Sequence, residues 1–113
     1  MYDLITIFGV TVYLIDEEMK EMLSNCSKMM GFDSTLIIKN QWSMTDEDKV
    51  VDKQYSDSNK NKYFGIYRTL TKMKKLLENA GFDFETVDLY PKELNKYEDT
   101  HEYALICRKI KRK

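Results

Sequence analysis

The chain opens on a nearly continuous run of β-branched and aromatic positions, Leu4-Ile5-Thr6-Ile7-Phe8-Gly9-Val10. A run without clean alternation predicts a strand covered on both faces, as in a parallel sheet lying between helices. Gly9 at its end marks a turn or a close approach of the backbone. The period then changes. Met19, Met22, Leu23, Cys26, Met29 and Met30 follow at helical offsets and form one apolar stripe. Asp16 is the expected cap, Glu17 and Glu18 favour the positive end of the dipole, and Lys28 with Gly31 suits the other end.

Thr35-Leu36-Ile37-Ile38 predicts a second strand ending at Lys39-Asn40-Gln41-Trp42. From 43 to 62 the chain turns polar, which predicts a surface excursion with a short helical turn around Val50 and Val51. Leu70, Met73, Leu77 and Ala80 share one helical face, with Thr69 as cap and Gly81 just past the end. Phe84 to Tyr90 reads as a third strand closed by Pro91, and Glu102 to Arg108 as a fourth, joined by the polar segment from Lys92 to Thr100. Strands alternating with helices imply an α/β layer structure. The last connection is shorter than the dozen or more residues of a parallel crossover, so the last strand should run antiparallel. The expected architecture is three parallel strands plus a final antiparallel strand, with flanking helices, in a single domain over 1–113.

Composition narrows the function. Lys and Arg number 18 against 19 for Asp and Glu, a formal net charge of −1, so overall charge argues for neither a nucleic-acid nor a membrane partner. No apolar run reaches bilayer-spanning length, and the first residues lack a secretory pattern, so a cytoplasmic location is expected. Cys26 and Cys107 are too few for a disulfide scaffold and lack zinc-ligand spacing; no metal site is expected. Both fall inside apolar patterns, which suits buried, inert thiols.

In open α/β sheets ligands lie beyond the carboxyl ends of the parallel strands. That rule selects the segment Phe8 to Tyr13 and the segment Lys39 to Trp42. An antiparallel last strand would start at the same rim with His101, and Tyr90 would end there. Aromatic walls (Phe8, Tyr13, Trp42, Tyr90) and polar groups (Lys39, Asn40, Gln41, His101) would then frame a small-molecule site. His101 is the only histidine and the candidate general base. Lys39 is a candidate for holding an anionic group. Each has a plainer alternative: a capping histidine, a solvated lysine, and a Trp42 that closes the end of the core. No Gly-rich phosphate loop or nucleophile elbow is present.

The segment Tyr2 to Leu14 followed by Asp16-Glu17-Glu18-Met19 resembles the fourth strand and following helix of class I S-adenosylmethionine-dependent methyltransferases. Ser34 to Lys39 resembles their fifth strand. Leu76-Leu77-Glu78-Asn79-Ala80-Gly81-Phe82 is similar to the helix end before strand six, and His101 to Lys109 to the closing antiparallel strand. The resemblance spans nearly the whole chain and implies a partial Rossmann-like methyltransferase sheet with S-adenosylmethionine as cofactor. It implies cofactor contacts at Phe8, Gly9 and Val10, and acceptor contacts at Thr11, Tyr13, Asn40, Gln41, Trp42 and Tyr90. His101 or Lys39 would assist deprotonation of a small-molecule acceptor. Tyr67-Arg68-Thr69 with Tyr90-Pro91 resembles bacterial enzymes acting on sugars or surface polysaccharides.

In that family the Gly-rich cofactor loop and the ribose-binding acidic residue belong to the half preceding this stretch. The sequence therefore looks like a C-terminal half, a fragment of the fold. Its first strand would have a bare edge, which invites pairing with a second copy or with the missing N-terminal half. The alternative reading is a non-catalytic methyltransferase-like module that binds a partner chain through that edge. A third reading, an unrelated α/β domain, requires the last two strands to form a hairpin away from the first two.

Overall fold

The computed structural model describes residues 2–54, 62–89 and 100–110. Along the chain run β1 (Tyr2–Phe8), a 3-10 turn (Thr11–Tyr13), α1 (Asp16–Lys28), β2 (Met30–Ser43), β3 (Lys49–Gln54), β4 (Lys62–Tyr67), α2 (Leu70–Asn79), β5 (Phe82–Asp88) and β6 (Thr100–Lys109). Four strands form one sheet in the order β1-β2-β6-β5. β1 and β2 are parallel, whereas β6 runs antiparallel to both β2 and β5. The sheet is therefore mixed: β1, β2 and β5 run in one direction and β6, as expected of the last strand, runs against them, but only β1 and β2 are parallel neighbours. The physical reason is β6 itself: it inserts between β2 and β5, pairing Leu36 to Ser43 on one side and Phe82 to Asp88 on the other. β5 and β6 do pair antiparallel, but because β6 also pairs β2 they do not stand away from the first two strands as the third reading supposed.

Both helices pack on one face of the sheet. Met19, Leu23 and Cys26 of α1 and Met73, Leu76 and Leu77 of α2 meet Leu36, Ile38, Trp42, Phe82, Leu105 and Cys107 in a single core. Ile5 and Ile7 of β1 border that core. Leu4 and Phe8 alternate with them, face the other way, and are 55% and 57% exposed. No helix among the described residues covers that second face, so the expectation of a first strand buried on both sides is corrected. The apolar run is real; one of the two layers it calls for is not among these elements.

The helix ends follow local chemistry. Thr69 caps α2, its Oγ1 accepting from the Lys72 N–H at 3.0 Å. Asp16 is the first residue of α1 rather than its cap; the Ile15 N–H before it donates to Glu18 Oε1 at 3.1 Å. Gly31, expected to close α1, lies in β2 because the buried Met30 already begins that strand. Gly81 does close α2, at φ +88, with open space where a Cβ would stand. Gly81→Ala should therefore cost about 1 kcal/mol through backbone strain alone, read as a lower urea midpoint at unchanged slope.

β3 and β4 form an antiparallel hairpin, from Lys49 opposite Tyr67 to Gln54 opposite Lys62. The helical turn expected around Val50 and Val51 is thus a strand. Val50 stands opposite Ile66 and Val51 opposite Gly65, and two adjacent β-branched residues favour a ladder over a helical turn. The hairpin leaves from the end of β2 and returns beside it: the Ser43 N–H donates to the Arg68 carbonyl and the Thr69 N–H to Asp48 Oδ1, each at 2.8 Å. No helix of the described residues is long and apolar enough to cross a membrane.

Candidate functional site

β1 and β2 end at a common rim, where Phe8 stands opposite Lys39 and the Gly9 N–H donates to the Lys39 carbonyl at 2.9 Å. Gly9 then leaves the strand at φ +73, and nothing lies within 4 Å of the position a Cβ would take. A residue with a side chain would be strained there and would fill that space. The chain next tightens into the turn at Thr11–Tyr13. Thr11 is buried and its hydroxyl accepts from Asn40 Nδ2 at 2.7 Å, which ties the loop after β1 to β2.

Arg68, between β4 and α2, fixes the same loop. Its side chain is fully buried. Nη1 donates to the Thr11 carbonyl at 2.9 Å, Nη2 to the Leu14 carbonyl, and Nε to Asp16 Oδ1 at 3.1 Å. Sequence reasoning noticed Arg68 only within the sugar-enzyme resemblance and missed this role. A lone arginine after a polar stretch carries no periodic signal, and its partners are more than 50 residues away in the chain. With its donors turned inward to the chain's own carbonyls, Arg68 is not a contact for an acceptor.

Asp16 also receives Lys72 Nζ at 2.9 Å. The Lys72 hydrogen bond, reinforced by Arg68 and opposed by partial burial, holds the Asp16 carboxyl below its ordinary range. A carboxyl depressed in the folded state contributes stability above its unfolded pKa, and that contribution disappears as pH falls through the folded value. Asp16→Asn should accordingly lower Tm at neutral pH. The gap between variant and parent should close on acidification below about pH 4, monitored by circular dichroism melts.

The remaining candidates divide between the two faces. On the open face Lys39 Nζ lies 5.7 Å from the centre of the Phe8 ring and 3.6 Å from the Glu102 carboxylate. Gln41 shares that face, and its Oε1 is buried with no hydrogen-bond partner among the described residues. Val10 and Tyr13 are exposed on the loop. On the helix-covered face Trp42 is 1% exposed and donates its indole N–H to the Tyr103 carbonyl at 3.0 Å. The indole closes the end of the core rather than forming a wall of the rim. His101, opposite Trp42 in the ladder, is buried; its Nε2 lies 2.5 Å from Asp88 Oδ1 and its ring 4.7 Å from that of Tyr103. The structure thus joins Thr11 to Asn40 and Phe8 to Lys39. Lys39 and His101 project from opposite faces of the sheet. Tyr90 lies outside the described residues.

Burial pushes the Cys107 thiol up to about 12, and raises that of Cys26 as well, so neither is an activated nucleophile. Among the described residues no cluster of His, Cys, Asp or Glu could hold a metal ion.

No protein-family model matches the chain, and no curated protein matches it in sequence. Solved structures do match it. An S-adenosylmethionine-dependent methyltransferase from Methanosarcina mazei superposes with a TM-score of 0.71 at 11% identity, over 98% of this chain and 60% of that one. The O-methyltransferase of a polyketide synthase multienzyme from Brevibacillus brevis, in complex with S-adenosylhomocysteine, gives 0.72 at 15% identity, over 97% and 44%. The 1,6-didemethyltoxoflavin N1-methyltransferase of Burkholderia thailandensis, with 1,6-didemethyltoxoflavin and S-adenosylhomocysteine bound, gives 0.69 at 14% identity, over 96% and 44%. The chain spans about half the length of the methyltransferases it matches. Its fold is that of the C-terminal half of an S-adenosylmethionine-dependent methyltransferase.

Proposed function

We propose that the chain forms the acceptor side of an S-adenosylmethionine-dependent methyltransferase that methylates a small molecule. The observation that carries this reading is the rim at Gly9. A left-handed glycine with open space before it lets a ligand approach the main chain after β1. Phe8 and Val10, both exposed, flank that space and suit the cofactor. Thr11, Tyr13, Asn40 and Gln41 line the acceptor side, with Trp42 behind them as support.

S-adenosylmethionine supplies an activated methyl group on a positively charged sulfur. What this chain contributes is position, which supplies much of the acceleration in an in-line displacement. Gln41, half-buried on the same face as Lys39, offers its side-chain amide to an acceptor hydroxyl, which fits a sugar or polysaccharide precursor. Lys39, on the same face as Gln41, steadies negative charge on the acceptor and assists its deprotonation, whereas His101, paired with Asp88 on the opposite face, holds the start of β6.

The test is NMR titration of the chain with millimolar S-adenosylhomocysteine. Amide shifts should concentrate at Phe8 to Thr11 and vanish in Gly9→Val, whose added side chain fills the space. Shifts elsewhere with none at Gly9 would overturn the assignment and leave a non-catalytic module that binds a partner through β1.

A further inference from the structure

We infer that the pole of the fold opposite the Gly9 rim, built around Met29, Phe32, Lys109 and Ile110, docks on an anionic membrane surface. α1 ends, β2 begins and β6 ends at this pole. Lys109 gathers the pieces. Its ammonium donates to the carbonyls of Ser27 and Met30 at 3.1 and 3.0 Å, on either side of Met29, and lies 5.3 Å from the centre of the Phe32 ring. Ile110 follows it, and its N–H donates to the Gly81 carbonyl at 2.8 Å, at the exit of α2. Met29, Phe32 and Ile110 are nonetheless exposed, three large hydrophobic side chains around one cation. A single exposed apolar residue needs no explanation, but a gathered group marks an interaction surface. The chemistry proposed above does not use them, since about 20 Å of strand separates this pole from the rim.

Charge chooses the occupant. The whole chain carries a formal charge of −1, yet five of the six residues from Arg108 to Lys113 are cationic. Lys28, exposed in the last turn of α1, adds another cation next to Met29. Asp33 beside Phe32 and Asp83 opposite Arg108 oppose these charges without cancelling them. A second copy seated here would bring two such basic clusters together. A nucleic acid would satisfy the cations but not Met29 and Ile110, which offer no flat ring for a base to stack on. A bilayer with acidic headgroups satisfies both: the cations meet the headgroup charges, and the apolar side chains enter the acyl boundary. Either signal alone holds weakly, and the two together anchor. Docked in this way, the Gly9 rim faces away from the bilayer and stays open to water.

The test is flotation of the full chain with vesicles of phosphatidylcholine containing about one-third phosphatidylserine, against vesicles of phosphatidylcholine alone. Binding should require the anionic lipid and fall at least about tenfold between about 0.1 M and about 0.5 M salt. Phe32→Ser and Lys28→Glu should each lower the partition coefficient at least about fivefold. Lys75→Glu, the same reversal on the exposed side of α2, should change it less than about twofold. A gadolinium-chelate lipid in bicelles of the same composition gives a readout that needs no variant. The amides of Met29, Phe32 and Ile110 should broaden first, with Gly9 to Tyr13 spared. No flotation with the acidic vesicles at about 0.1 M salt overturns the inference, as does equal binding to phosphatidylcholine alone or broadening centred on β1. So does a single-stranded oligonucleotide that binds more tightly than the vesicles and shifts the same three amides.

Discussion

Replacing Arg68 with methionine is expected to destabilise the fold by about 2–4 kcal/mol, a large part of a small domain's total. The loss does not come chiefly from the ion pair. Asp16 is 40% exposed and keeps Lys72, so its charge stays solvated and partnered. It comes from the carbonyls of Thr11 and Leu14, which lose their donors in a place that methionine's bulk keeps dry. Urea unfolding measures the loss. Broadened amide resonances across Gly9 to Leu14 in the folded variant would show that the loop has lost its fastening. Arg68→Lys should recover little, because one ammonium cannot satisfy three acceptors that a planar fork reaches together. A loss below about 0.5 kcal/mol would mean that water replaces the guanidinium at no cost and that the loop is held by Asn40 alone.

Trp42→Ala is expected to cost about 3–5 kcal/mol, the range for deleting a large buried aromatic. The side chain is nearly inaccessible, sits among Leu36, Ile38 and Leu105 in the core, and its N–H is bonded to Tyr103. Trp42→Phe keeps most of the volume and should cost about 1–2 kcal/mol, from a smaller cavity and one unpaired carbonyl. The pair of variants separates support from contact. A wall residue at the rim would lose ligand affinity with little change in stability; a core residue shows the reverse. Chemical denaturation alongside the S-adenosylhomocysteine titration reads both quantities on the same protein.

Much of the fold was legible in the sequence because its elements obey strong local rules. The methionine stripe on α1, the Thr69 cap and the Gly81 exit of α2 are patterns fixed by 3.6-residue geometry and by left-handed backbone. The strand β2 outran its apolar signal, since Asn40 and Ser43 are buried through hydrogen bonding and pairing rather than by hydrophobicity. The hairpin β3–β4 was hidden by flanking charges, which say nothing about ladder partners eight to eighteen residues distant. At the rim, the ends of β1 and β2 were placed by connectivity alone. Which face each side chain takes was not legible. Face depends on where the strand runs without a break, and the odd separation of Lys39 and Trp42 within β2 sends them to opposite sides. Arg68 and Asp88 were invisible as site-shaping groups because their partnerships form only when distant segments meet.

The place of β6 between β2 and β5 constrains how the molecule can be made. Residues 36–43 and 82–88 find their common neighbour only in 100–109. Until that stretch leaves the ribosome, the emerging polypeptide holds a parallel pair and a solitary strand whose inner borders face nothing. Closing contacts that span some sixty residues is slow compared with forming helices. Maturation is therefore a late, nearly all-at-once event, and the nascent intermediate is the species that would depend most on chaperone shelter.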